Sequence, residues 1–290
     1  MKNIVQRHLW QSYIYMTLVT LFIVLLGSFI SNSFHLGLSG TGVFILVAGI
    51  INFFAFYYSD RLVLAASQAQ NVTKRQAPDF YKIVEKLCIE NNLPMPKLYF
   101  IDEDAMNAFA TGRNEKHAAV VVTRGLLEKL TEKEVESVIA HELSHIKNSD
   151  MKIMAVSTML VGVLSIFADL FWRANMISEA TDQDKSGVLS IVSVVLAIFT
   201  PISATLIKLA ISRKREYAAD VLGAQMVKTP RYLASALEKI SRDQLPLPQA
   251  SRSTAHLFFS NPFKGEDFIE RLVSTHPPIE ERIKVLTGTK

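Results

Sequence analysis

"VIAHELSHIKNSDM" (residues 138–151) carries two histidines and a glutamate at HExxH spacing, and an apolar run opens almost at once behind them. Thr131 with Glu134 makes a capping-box pattern that starts a helix here. Val135, Val138, Ile139, Leu143 and Ile146 form its apolar side. On such a helix His141 and His145 lie one turn apart, beside the packed face rather than opposite it. Two imidazoles so placed can hold one zinc ion, and Glu142 can take the proton of a water that the metal polarises. With 7 histidines in 290 residues, chance alone yields HExxH in about one chain in a hundred. The apolar flanks argue against chance, since a helix free in water needs no such side.

A zinc site that acts on a substrate needs a third protein ligand and an open fourth position. "REYAAD" (215–220) offers Glu216 and Asp220, four apart and therefore on one helical face. Glu216 can complete a His2Glu set, and Asp220 can accept the second ring N–H of a ligand histidine. On a bare surface these two acids would repel each other slightly; beside a dication the pairing makes sense.

Around these motifs the composition is that of a membrane protein. Hydrophobic residues make up 49% and charged residues only 20%, with a mean hydropathy of +0.23. No charged side chain occurs between Arg7 and Asp60. That gap holds two apolar runs, Leu9 to Ile30 and about Val43 to Tyr58, joined by the short turn "SNSFHLGLSGTG". Two more runs follow the motif, 153–172 and 186–207, the latter containing Pro201. Each approaches the roughly 20 residues a spanning helix needs. A cleaved signal peptide is the alternative for the first run, but its apolar stretch is long and a second span follows directly.

The basic residues give these spans one orientation. Lys2, Arg7, Arg61, Lys74, Arg75, Lys208, Arg213, Lys214 and Arg215 flank the spans on one side, while the first hairpin loop has no charge. Both termini and both soluble segments are therefore expected on the cytoplasmic side. A net charge of +4 without an aromatic-interleaved basic patch argues against nucleic-acid binding. The single cysteine, Cys88, excludes an intramolecular disulfide.

The soluble segments read as α+β with a small sheet. "DFYKIVEKLCIENN" (79–92) sets Phe80, Ile83, Val84, Leu87 and Cys88 on one helical face. "KLYFI" (97–101), "NAFAT" (107–111) and "AAVVVT" (118–123) have strand composition, with hairpin residues between the last two. "TRGLLEKL" is a short helix. After the fourth run, "SRKREYAADVLGAQMVK" is helical, and "TPRYLASALEKISR" is a second helix with Thr229 as N-cap and Pro230 at the first position. The Pro- and Ser-rich stretch 243–265 reads as a long loop near the site, and "STHPPIEERIKVL" as a turn and a final helix.

HELSH, then SRKREYAAD after two intervening apolar runs, NAFATG upstream and STHPP near the end together resemble the HtpX family of membrane-embedded zinc metalloproteases, relatives of the CAAX prenyl endopeptidases. The resemblance covers nearly the whole chain. It implies a mostly helical integral membrane protein with about four transmembrane helices and a cytoplasmic gluzincin-type metalloprotease domain with a small β-sheet. The corresponding parts are an N-terminal transmembrane hairpin (1–58), a subdomain with the HExxH helix (59–150), a second hairpin (151–211) and a C-terminal helical subdomain (212–290). His141, His145 and Glu216 would bind one zinc ion, Glu142 would be the catalytic base, and Asp220 would orient a ligand. Asn107, Ala108, Phe109 and Ala110 would form the edge strand that aligns an extended substrate, and His276 would donate to the oxyanion. The implied activity is hydrolysis of membrane or misfolded proteins at the cytoplasmic face of the inner membrane. The rival readings are a prenyl-protein endopeptidase, for which four spans look too few, and a membrane scaffold whose metal site is structural or absent.

Overall fold

The computed structural model describes residues 37–151, 153–158, 213–250, 254–263 and 277–288, with separate helical positions between 10 and 31. His276 and most of the third and fourth apolar runs lie outside the described residues.

The second apolar run is one helix, α1 (Gly37–Ala66), longer at both ends than its composition suggests: part of the expected turn is already helical, and so are Asp60 and Arg61. Its window Gly37–Phe54 has a mean hydropathy of 1.8, and it is the one helix among the described residues long and apolar enough to cross a membrane. Leu38, Val43, Leu46, Ile50 and Phe53 face outward, each more than half exposed. Asn52 Nδ2 donates to Thr20 Oγ1 of the first run, and Ile23 shares a buried cluster with Ala48. The two runs therefore pack against each other.

The sheet has four strands in the order β1-β2-β4-β3: β1 (Gln70–Asn71), β2 (Lys97–Ile101), β3 (Ala108–Gly112) and β4 (Ala118–Thr123). β1 and β2 are antiparallel, β2 and β4 parallel, and β3 and β4 antiparallel. β1 escapes a reading of composition because two residues carry no period. Both faces of the sheet are covered. Leu98, Ala108, Ala110, Val120 and Val122 pack toward α2 (Pro78–Asn91) and the motif helix. Their strand neighbours Phe109, Ala119, Val121 and Ile101 face Val63, Ile153, Val156 and Phe258. Two buried faces explain why these strands read as unbroken apolar runs rather than as alternation.

Beyond β4 come the short α3 (Arg124–Lys129) and the motif helix α4 (Glu132–Lys147). The capping box forms as expected: Thr131 N donates to Glu134 Oε2 at 2.8 Å, and Glu134 N donates to Thr131 Oγ1 at 3.4 Å. Every residue of α4 from Glu134 to Ile146 is buried, so the helix is core on all sides rather than amphipathic. The C-terminal helices are α5 (Arg213–Met226), α6 (Arg231–Arg242) and α7 (Ile279–Thr287). α6 begins one residue later than expected. Pro230 has the N-cap position, and Thr229 instead accepts from Arg231 N through its hydroxyl at 3.4 Å.

Candidate active site

α4 and α5 cross in close contact, and the sequence of α5 makes this possible. A Cβ on Gly223 would lie 2.9 Å from the His141 Cα and N, so only glycine lets the helices approach this far. Ala219 is small and its carbonyl accepts from Ser144 Oγ at 3.3 Å. Glu216, Asp220 and Gly223 are spaced four and three apart, one face of α5, and that face lies on the two histidines.

The result is a convergent donor set. His141 Nε2 and His145 Nε2 are 3.2 Å apart. Glu216 Oε2 is 3.8 Å from the first and Oε1 3.6 Å from the second, and the three ligand atoms all lie within 4.8 Å of one another. Bonds of roughly 2.0–2.1 Å at tetrahedral angles put ligand atoms about 3.3 Å apart, so these residues fit a metal ion. Each ring is turned to the site by a carboxylate on its other nitrogen. His141 Nδ1 lies 2.9 Å from Asp220 Oδ1, and His145 Nδ1 lies 3.2 Å from Asp150 Oδ2. Donation from Nδ1 leaves the Nε2 lone pairs pointing at one spot beside a carboxylate.

Burial and charge separate the members of this set. Burial pushes His141 down to about 4, against the pull of Asp220. Burial acts on His145 in the same sense, but the Asp150 hydrogen bond and the charges of Glu216 and Glu142 outweigh it and raise it to about 9. Glu142 is pushed up to about 7 by burial; the His145 charge opposes this, Glu216 adds to it, and Arg282 and a hydrogen bond from the Ala110 N–H oppose it.

Two of these residues were not singled out in the sequence. Asp150 follows a sharp reversal at Ser149 (φ 58°) that brings it back to His145. Arg282, on α7 and 0% exposed, grips Asp220 with two hydrogen bonds, Nε to Oδ2 at 2.9 Å and Nη2 to Oδ1 at 2.7 Å. Burial alone would raise the Asp220 carboxyl, but the guanidinium holds it below the usual range. HPP followed by Arg282 in the final helix was the available signal, and only the histidine drew notice. Asn107 directly precedes β3, in which Ala108 and Ala110 lie on the face toward the motif helix, Phe109 on the opposite face, and the Ala110 N–H donates to Glu142. His276 lies outside the described residues.

A buried two-histidine, one-glutamate donor set with a raised carboxyl beside it, next to a long apolar helix, defines a membrane-associated metallohydrolase. Comparison with known proteins makes this specific. Residues 74–290 match Peptidase family M48. The chain is 42% identical over 284 residues to the Protease HtpX homolog of Sulfurovum sp., covering 97% of this chain and 99% of that one. It is 41% identical over 276 residues to the Protease HtpX homolog of Dictyoglomus thermophilum, at 95% and 90% coverage. The crystal structure of S. mikatae Ste24p shares its fold with a TM-score of 0.50 at 17% identity, over 99% of this chain and 67% of that one. The chain belongs to peptidase family M48 and is a membrane-bound metalloprotease.

Proposed function

We propose that this metalloprotease is a zinc endopeptidase that cuts membrane or misfolded proteins at the cytoplasmic surface of the cell membrane. The observation that carries the reading is the meeting of His141 Nε2, His145 Nε2 and the Glu216 carboxylate within 4.8 Å, with Glu142 buried beside them. One zinc ion per chain, held by these three side chains, supplies Lewis-acid activation of water and of the scissile carbonyl. Glu142 takes the proton of the attacking water and returns it to the departing amine. Asp220 and Asp150 keep the Nδ1 protons of His141 and His145 and so fix both rings. Asn107 with the edge of β3 at Ala108, Phe109 and Ala110 aligns an extended peptide through its backbone, which gives affinity with little sequence selectivity. His276 donates a hydrogen bond to the developing oxyanion.

Location follows from the spans. The apolar runs support a multi-pass protein of four helices in two hairpins (within 1–58 and 151–211), with the catalytic segments 59–150 and 212–290 between and after them. The basic flanks support a cytoplasmic site and cytoplasmic termini. Met151, Ile153 and Val156, at the start of the third run, are buried against the protease body, which supports a site held at the membrane surface.

Full-length protein in detergent tests the reading. Glu142→Gln should lower casein cleavage about 10³-fold, with zinc staying near one ion per chain. His141→Ala should lose both metal and activity. Undiminished cleavage by Glu142→Gln, or by a chelator-stripped sample, would sink the mechanism. Cleavage sites confined to soluble substrates, far from any span, would count against the membrane-surface role.

A further inference from the structure

Along β3 the backbone groups alternate in direction. Thr123 N donates to Asn107 O at 3.0 Å, so Asn107, Phe109 and Thr111 turn toward β4, and Ala108, Ala110 and Gly112 turn outward. The outward edge runs into the metal site, because the Ala110 N–H donates to Glu142. A peptide laid along this edge would meet Asn107, Ala108 and then the two histidines.

Part of the chain already lies there. Phe259 N donates to Ala108 O at 2.7 Å. The Asn107 side chain takes both polar groups of the next residue: Ser260 N donates to Oδ1 at 3.2 Å, and Nδ2 donates to Ser260 O at 3.0 Å. Arg282 Nη1 donates to Phe259 O at 3.1 Å. The backbone N–H and C=O of both residues are thus held by groups of the site. The Ser260 hydroxyl, by contrast, is buried with no hydrogen-bond partner among the described residues. This is recognition of backbone, the mode expected for an unselective peptide groove.

The side chains of this segment pack against residues of the site and of β3. The Phe259 ring, 1% exposed, stands edge-on to His141 with centroids 5.0 Å apart and lies under the Arg282 guanidinium at 4.7 Å. Phe258, 0% exposed, meets Phe109 of β3 edge-to-face at 5.0 Å. A second chain cannot use Ala108 O, Asn107 and the space beside His141 while this segment does.

We propose that Phe258-Phe259-Ser260 is a built-in substrate mimic: it occupies this chain's own peptide groove beside the metal site and must withdraw before a substrate binds. The proposal rests on the peptidase reading above and names the substrate's chemistry: an extended segment with a large apolar side chain next to His141. A site closed in this way opens only for segments that outcompete the tethered one, such as exposed apolar stretches of unfolded or extracted membrane proteins. Covering a sheet edge is also ordinary structural practice, and the experiment separates the two roles.

The test uses full-length, zinc-loaded protein in detergent with β-casein as substrate. Phe259→Ala should lower KM by about tenfold, since the groove no longer has to be vacated, although the variant melts at a lower temperature. A KM that is unchanged or raised, with activity falling in step with stability, assigns the segment a structural role and overturns the proposal. A second measurement needs no change in the segment. In zinc-loaded Glu142→Gln saturated with β-casein, hydrogen exchange of the amides at 259 and 260 should speed up relative to the substrate-free protein, while β4 stays protected. Equal or slower exchange at 259 and 260 overturns the mimic. Wild-type cleavage sites should also be enriched in Phe, Leu or Met at one position adjoining the cut; a flat distribution there counts against the Phe259 pocket. If wild type fails to cleave at all, the peptidase reading falls; if it cleaves and the segment never moves, only this proposal does.

Discussion

The two ends of α4 bury the same kind of side chain and put it to opposite uses. Glu134 is 3% exposed and Glu142 2%, yet one is drawn down to about 2 and the other pushed up to about 7. Burial raises both, more strongly at Glu142, and the partners of the two carboxyls differ as well. Glu134 accepts from Lys239 Nζ and Ser235 Oγ at 2.7 Å each, and from Thr131 N at 2.8 Å and Oγ1 at 2.9 Å. These partners outweigh its desolvation. Glu142 accepts from the Ala110 N–H, and the charges of His145 and Arg282 lower it too little to offset its burial. At this end four buried carboxylates, Glu142, Asp150, Glu216 and Asp220, surround the histidines and one buried guanidinium, Arg282. The N-terminal end is electrostatically complete. The C-terminal end gathers its carboxylates around two histidines, a donor set that a dication would suit, and this marks the chemical end of the helix.

The largest way to break the comparison is to remove the guanidinium that pairs with Asp220. Arg282→Met leaves Asp220 buried without its pair and frees its charge to act on His141. The expected cost is about 3–5 kcal/mol, read by urea unfolding of the metal-free protein in detergent. His141 should then become more basic, like His145, and a stability within error of wild type would show that Asp220 has another way to be satisfied. A smaller change separates the histidines without uncovering a charge. Asp150→Asn keeps an acceptor for His145 Nδ1 but removes the charge behind it. Zinc affinity should fall by about 10- to 100-fold, measured by chelator competition. Asp220→Asn should lose more, because Arg282 loses its partner as well; equal losses would mean that Arg282 contributes nothing to the site.

What was legible in the sequence follows the same division between local and distant partners. The capping box, the five-residue motif, the apolar face of α2 and the strands β2 and β4 are all written within a few residues, where periodicity and spacing carry the information. Glu216 and Asp220 were legible because their own i,i+4 spacing is odd without a cation. Asp150 was not, since its position depends on the left-handed turn at Ser149. Arg282 meets Asp220 across 62 residues, and Ser260 meets Asn107 across 153. No local pattern encodes such pairs, and a Pro- and Ser-rich loop conceals that one of its dipeptides will lie on a strand edge. The cover over the rest of α4 was hidden for a related reason: periodicity reports the apolar side but not what covers the other, here α5 and α6.

The finest test sets the two glutamates against each other by pH. Glu134 has a folded pKa of about 2, below its unfolded value of 4.5, so its contribution is present above pH 4.5 and is lost as pH falls toward 2. Lys239 is 43% exposed, so solvent screens part of the pair. Glu134→Gln should therefore cost about 1–2 kcal/mol at neutral pH, and the cost should vanish in acid. Glu142 runs the other way. Its folded pKa of about 7 lies above the unfolded 4.5, so folding of the metal-free protein takes up a proton, and the charge becomes a growing burden from pH 4.5 to 7. Glu142→Gln should stabilise the metal-free protein at pH 7 by about 1–3 kcal/mol, with no gain below pH 4.5. Opposite signs from the same substitution on one helix would mean that the chemical end gives up stability to keep its base ready. The same sign at both sites would mean that other groups stabilise the buried Glu142 charge in the metal-free fold, and the idea that this end gives up stability would fall with that result.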